Sequence, residues 1–158
     1  MVLKPPYQYV IDTSALIDLN DQYPPKIFPG VWDRFDGMCE QLSIIAPREV
    51  LREIKKGNDY LIDWSDNFES MFLEPCEEEV LILQDVLQSY DEKTIRKNST
   101  GPWADPLVIS CGKHFGLTII QQEKQDGNSN RIPRIARLHN VESLTLIQFF
   151  EEESWTFS

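Results

Sequence analysis

At 158 residues the chain has the length of one ordinary domain, enough to bury a core, and its 41% hydrophobic content excludes a disordered protein. No apolar run approaches the about 18 residues that a membrane span needs. Met1 to Pro6 lack the apolar stretch of a signal peptide, so the expectation is a single cytoplasmic domain over 1–158 with no membrane partner. Cys39, Cys76 and Cys111 are odd in number with no C-x-x-C spacing, which reads as reduced thiols and not as a disulfide framework or a structural zinc site. A net charge of −11 argues against a general, non-specific nucleic-acid binder. Yet ten of the fifteen Lys and Arg fall in three short segments, 48–56, 93–97 and 131–137, so local basic patches remain able to hold a phosphate backbone.

Tyr7 to Ile11 reads as a short strand and Thr13 to Leu19 as a short helix. Asp21 to Gly30, with three prolines, reads as loop. Val31 to Gln41 has helical spacing, and Leu42 to Ala46 is a compact apolar run expected to be a second buried strand. Pro47 suits a first helical position, with the helix running to Lys56 and Gly57 at its far end. Tyr60 to Phe72 repeats Leu61, Trp64, Phe68 and Met71-Phe72 with a helical period. Glu77 to Ile95 reads as the longest helix, acidic at its start and basic just beyond its end. Asn98 to Pro102 is loop, Asp105 to Phe115 a helix closed by Gly116, and Leu117 to Ile120 a strand. Gln121 to Arg131 is polar loop. Pro133 to Leu138 reads as a short helix, Val141 to Leu146 as an edge strand, and Ile147 to Glu153 as a last helix. Short apolar strands alternating with helices predict an α/β fold, three layers α/β/α around a mainly parallel central sheet.

Acidic residues sit where these strands hand over to helices. Asp12 follows Tyr9-Val10-Ile11, Asp105 opens Pro106-Leu107-Val108-Ile109, Glu123 follows Leu117-Thr118-Ile119-Ile120, and Glu53 lies on the helix after the second strand. In an open α/β sheet the carboxyl ends of neighbouring strands converge on one crevice. Carboxylates gathered there repel unless a hard cation neutralises them, which proposes a Mg²⁺ or Mn²⁺ site acting on phosphate esters. Taken singly, each acid also has a plainer reading. Asp12 before Thr13-Ser14 and Asp105 before Pro106 are good helix starts, and Glu53 and Glu123 suit solvent.

The chain resembles the PIN domain, the nuclease fold of VapC-type toxins and related RNA-processing enzymes, and within it a bacterial PIN-like group. The resemblance rests on Tyr9-Val10-Ile11-Asp12-Thr13-Ser14-Ala15-Leu16-Ile17, Val50-Leu51-Arg52-Glu53-Ile54, Ala104-Asp105-Pro106-Leu107-Val108-Ile109-Ser110 and Leu117-Thr118-Ile119-Ile120-Gln121-Gln122-Glu123, which together span nearly the whole chain. It implies that Asp12, Glu53, Asp105 and Glu123 are catalytic metal ligands and that Ser14 supports the first acid. It also implies a Mg²⁺- or Mn²⁺-dependent endoribonuclease, with RNA as substrate and an antitoxin protein or a second copy of the chain as partner. Two departures stand out. The family's fourth motif usually reads Thr-x-Asp, against Gln121-Gln122-Glu123 here, with Asp126 the alternative fourth acid. Glu49 lies one turn before Glu53 on the same helix face; Glu53 fits the Val-Leu-x-Glu pattern.

A bound divalent ion would lower the pKa of a coordinated water and neutralise charge on the transferring phosphate. Arg131 and Arg134, with Arg137, form a candidate basic ridge for the substrate, or simply an exposed helix face. Trp103 is a candidate stacking platform for a base or a hydrophobic staple at a helix start. Cys111 and His114, at i and i+3, supply only half of a usual zinc ligand set. From other function classes, a non-catalytic PIN-like scaffold for RNA or protein draws on the unusual fourth motif. An Asp-nucleophile phosphatase lacks its second Asp in Asp12-Thr13-Ser14.

Overall fold

The computed structural model describes residues 6–57, 59–123 and 131–157. Its centre is built from the short β-branched runs. β1 (Tyr9–Ile11), β2 (Ile44–Pro47), β3 (Phe72–Leu73), β4 (Thr118–Ile120) and β5 (Ser143–Leu144) pair in parallel in the order β3-β2-β1-β4-β5. Val10 pairs with Ile45 on one side and Ile119 on the other. Successive strand side chains point to opposite faces, and Val10, Ile11, Ile44, Ile45, Ile119 and Ile120 are all fully buried. Both faces of the sheet are therefore covered, as a parallel sheet requires.

The covering helices come from the crossovers. α1 (Thr13–Gln22) and α2 (Pro29–Glu40) link β1 to β2; α3 (Arg48–Ile54) and α4 (Asp59–Ser65) link β2 to β3. α5 (Glu77–Leu87), α6 (Glu92–Lys97) and α7 (Asp105–Phe115) link β3 to β4, α8 (Ile132–Leu138) links β4 to β5, and α9 (Leu146–Glu152) follows. Strand order steps one way from β1 to β3 and the other way from β4 to β5. Right-handed crossovers then place the first four helices on one face and α5 to α8 on the other. Their packing agrees: α1 lies against α3 and α4, whereas α7 lies across β1, β2 and β4 beside α5 and α8. The result is a three-layer α/β/α domain. Among the described residues no helix is long and apolar enough to cross a membrane.

Some elements differ from the sequence expectation. The helix expected over 60–72 ends at Ser65, followed by a 3₁₀ turn at Glu69–Met71 and then β3. Ser65 Oγ donates to the Ile62 carbonyl, a local bond that competes with helix continuation. The apolar period instead feeds an aromatic cluster, with Trp64 stacked on Phe35 and close to Phe68. The long helix expected over 77–95 is two. Asp91 accepts from the Thr94 N–H and caps α6, while Tyr90 turns into the core. Pro47 is not the first helical residue: with ψ of 148° it ends β2 and precedes α3 in extended conformation. The expected edge strand shrinks to Ser143–Leu144. Most of the polar loop expected over 121–131 lies outside the described residues.

Candidate metal centre

β1 and β4 are neighbours whose chains continue to opposite faces of the sheet, so the crevice beyond their carboxyl ends is the topological switch point. Asp12 leaves β1 there and Glu123 lies just past β4. α7 descends into β4, which puts its first residue, Asp105, at the same end. One carboxylate oxygen from each of Asp12, Asp105 and Glu123 falls within 4.8 Å of the others. They line a cleft of about 430 Å³ that also holds Thr13, Ser14, Glu53 and Lys56.

Asp12 caps α1 and also stands among the clustered acids. Its Oδ2 accepts from the Ser14 N–H at 3.2 Å and the Ser14 hydroxyl at 2.7 Å, capping α1. Its Oδ1 is buried and meets no hydrogen-bond donor among the described residues. Burial and then the Glu123 carboxylate push the Asp12 pKa up to about 7, against the opposing pull of the Ser14 hydroxyl. Ser14 Oγ also accepts from the Gln122 N–H at 3.0 Å, tying the end of β1 to the segment after β4.

Asp105 is the first residue of α7, not its cap; Ala104 precedes the helix without a side-chain bond. Burial, the negative charge of Asp12, and a hydrogen bond with Glu123 hold the Asp105 carboxyl well above the usual range. Glu123 is fixed at both ends of its residue. Its N–H donates to Gln121 Oε1 at 2.8 Å, and its Oε2 accepts from the Ile132 N–H at the start of α8, also at 2.8 Å. The extra methylene relative to Asp thus spans from the end of β4 to α8.

Glu53 stands in the same cleft but outside the close trio. It accepts from the Thr13 hydroxyl and, through Oε2, from the Ala104 N–H at 3.4 Å. Its pKa is raised by burial, with the Thr13 bond opposing. Glu49 points elsewhere, accepting from Arg52 at 2.9 Å, and Arg52 also reaches Glu74. Of the two acids on α3, the one in the cleft is Glu53.

Trp103 is half-buried and packs edge-to-face on Tyr90, centroids 4.8 Å apart, as a staple would. Arg131 is the N-cap position of α8, beside the Ile132 N–H that Glu123 holds, while Arg134 and Arg137 lie on the exposed side of that helix. Asp126 lies outside the described residues. Sequence reasoning missed Thr13 and Tyr90. Thr13 had a signal, since it separates Asp12 from Ser14. Tyr90 had none: its hydroxyl is buried without a hydrogen-bond partner among the described residues. Its pKa is driven up by burial and then by the negative charges of Asp105, Glu123 and Asp12.

Three clustered carboxylates, two of them buried enough to have raised pKa values and one with an oxygen that meets no donor among the described residues, make a donor set of hard oxygens suited to a divalent cation such as Mg²⁺ or Mn²⁺. No curated protein matches the chain. A family model described as Domain of unknown function (DUF4411) matches residues 9–157, and the chain belongs to that family.

Proposed function

We propose that this protein is a Mg²⁺- or Mn²⁺-dependent endoribonuclease of PIN-like type, and the toxin of a toxin–antitoxin pair. The observation that carries the reading is the convergence of Asp12, Asp105 and Glu123 at the switch point, with Asp12 Oδ1 left without a donor. When bound, a divalent ion there supplies water activation and charge neutralisation for in-line displacement at phosphorus. Asp12, Asp105 and Glu123 hold it. Ser14 fixes the Asp12 rotamer, and Glu53, steadied by Thr13 and Ala104, extends the negative field across the cleft. Lys56, on the rim of the same cleft, offers a cation to a substrate phosphate.

Cleavage of end-labelled RNA tests the reading. Wild-type protein with Mn²⁺ should cut internally, EDTA should stop it, and Asp12→Asn should be inactive while remaining folded. For the toxin role, expression of the chain alone should slow growth and co-expression of its genomic neighbour should relieve it. A basic antitoxin segment, with Arg paired bidentately to carboxylates, would replace the metal charge. A non-catalytic scaffold draws on one feature, the engagement of both Glu53 and Glu123 by protein donors. It is the better reading if folded protein binds Mn²⁺ no more tightly than Asp12→Asn does.

A further inference from the structure

His114 sits in the last turn of α7, and its spacing in the sequence pairs it with Cys111. The fold gives it a different neighbour. α5 runs antiparallel to α7: Tyr90, beyond the carboxyl end of α5, meets Trp103 just before α7, and Cys76, at the amino end of α5, meets His114. Cys76 Sγ and His114 Nε2 are 3.5 Å apart. A Glu78 carboxylate oxygen joins them, and the three ligand atoms all lie within 4.8 Å of one another. Cys111 is 2% exposed and stands outside the trio.

We propose that Cys76, Glu78 and His114 form a second metal site, for a borderline-soft divalent ion such as Zn²⁺, that clasps α5 to α7. Zn–S of about 2.3 Å and Zn–N of about 2.1 Å at a tetrahedral angle put sulfur and nitrogen about 3.6 Å apart, which the Cys76–His114 separation already matches. A thiolate, an imidazole and a carboxylate select Zn²⁺ over Mg²⁺, which prefers oxygen alone. Both helix ends assist. The Glu79 N–H at the amino end of α5 favours a thiolate at Cys76, against burial and the Glu78 and Glu79 carboxylates, which leave the thiol pKa raised until a cation offsets them, and the carboxyl end of α7 favours a cation beside His114. Glu78 is exposed, so the ion has an entry path and a water completes the coordination. On binding, the Cys76 S–H proton passes to solvent and the sulfur bonds the ion as thiolate; nothing is oxidised or reduced. The site is independent of the acidic centre and does not rest on nuclease activity.

Cobalt substitution tests it, because a thiolate bound to Co²⁺ gives a near-ultraviolet charge-transfer band that oxygen ligands do not. Co²⁺ titrated into the full chain should raise that band to saturation at one ion per chain, and Zn²⁺ should displace it. Cys76→Ser, which still caps α5, should lose the band. His114→Gln should weaken binding at least about tenfold, the floor when even an outer partner of a metal site is removed. Asp12→Asn and Cys111→Ala, both checked as folded by circular dichroism, should keep the band. A wild-type chain without the band, a folded Cys76→Ser that retains it, or a folded Cys111→Ala that loses it would each overturn the assignment.

Discussion

At the scale of single residues, the acidic centre makes its own conditions. Asp12 carries a pKa near 7 where an unfolded chain would titrate near its ordinary value of 3.8. The native state therefore binds more protons than the unfolded state between those two values, and stability falls as pH rises through that window. Metal-free protein should lose Tm steadily from pH 4 to pH 7. Thermal melts in EDTA across that range check this, and in Asp12→Asn the slope should shrink. Asp105 gives a sharper separation of roles. Because Ala104, not Asp105, occupies the cap position, Asp105→Asn removes a charge without removing a capping bond. RNA cleavage should fall on the order of 100-fold or more, the loss typical of deleting one electrostatic stabiliser, while the metal-free Tm should hold or rise as repulsion is relieved. Asp12, Asp105 and Glu123 were legible because each follows or opens an apolar run whose end the fold must bring to the crevice. The close trio without Glu53 was not legible. Part of what orients these carboxylates is the Ala104 N–H on Glu53 and the Ile132 N–H on Glu123, and backbone donors have no letter in a sequence.

At the scale of elements, legibility followed the strength of local stop signals. α7 was readable to the residue because Asp105-Pro106 opens it and Gly116, at a φ of 67°, ends it in the left-handed region. Gly116→Ala should cost about 1 kcal/mol, seen as a Tm lowered by about 2–4 °C for a domain of this size, with metal binding unchanged. α4 and the break between α5 and α6 were not readable. Their apolar residues keep a helical period through the break, and only tertiary burial of Trp64 and Tyr90 decides where the backbone turns. Glu123 belongs to an element as much as to a site, since its Oε2 holds the first N–H of α8. Glu123→Gln keeps an acceptor there and should retain stability while weakening Mn²⁺ binding. Glu123→Ala loses both, with about 1 kcal/mol of destabilisation from the missing cap. Comparing the two variants by melting with and without Mn²⁺ separates holding the helix from holding the ion.

For the whole molecule, strand and helix alternation was enough to foresee a parallel sheet with β1, β2 and β4 side by side. The outermost strands were harder to read, because β3 and β5 are two residues each and carry too little pattern to mark. That topology is what turns three scattered acids into one centre, and it places them in a chain whose charge is already −11. Such a centre stores repulsion in the metal-free protein, so an ion that binds only the folded state should stabilise the molecule by mass action. At 100 times its dissociation constant the gain is about 2.7 kcal/mol, or about 5–10 °C in Tm at about 2–4 °C per kcal/mol. Mn²⁺ is the appropriate probe because oxygen donors suit it better than the sulfur of Cys76 does. The rise should be absent in Asp12→Asn, whose orphaned Oδ1 is replaced or neutralised, and intact in Cys76→Ser, whose site lies at the other end of α7. An equal rise in Asp12→Asn would place the ion away from the switch point, and a rise lost in Cys76→Ser would mean that the two ends of α7 do not act separately.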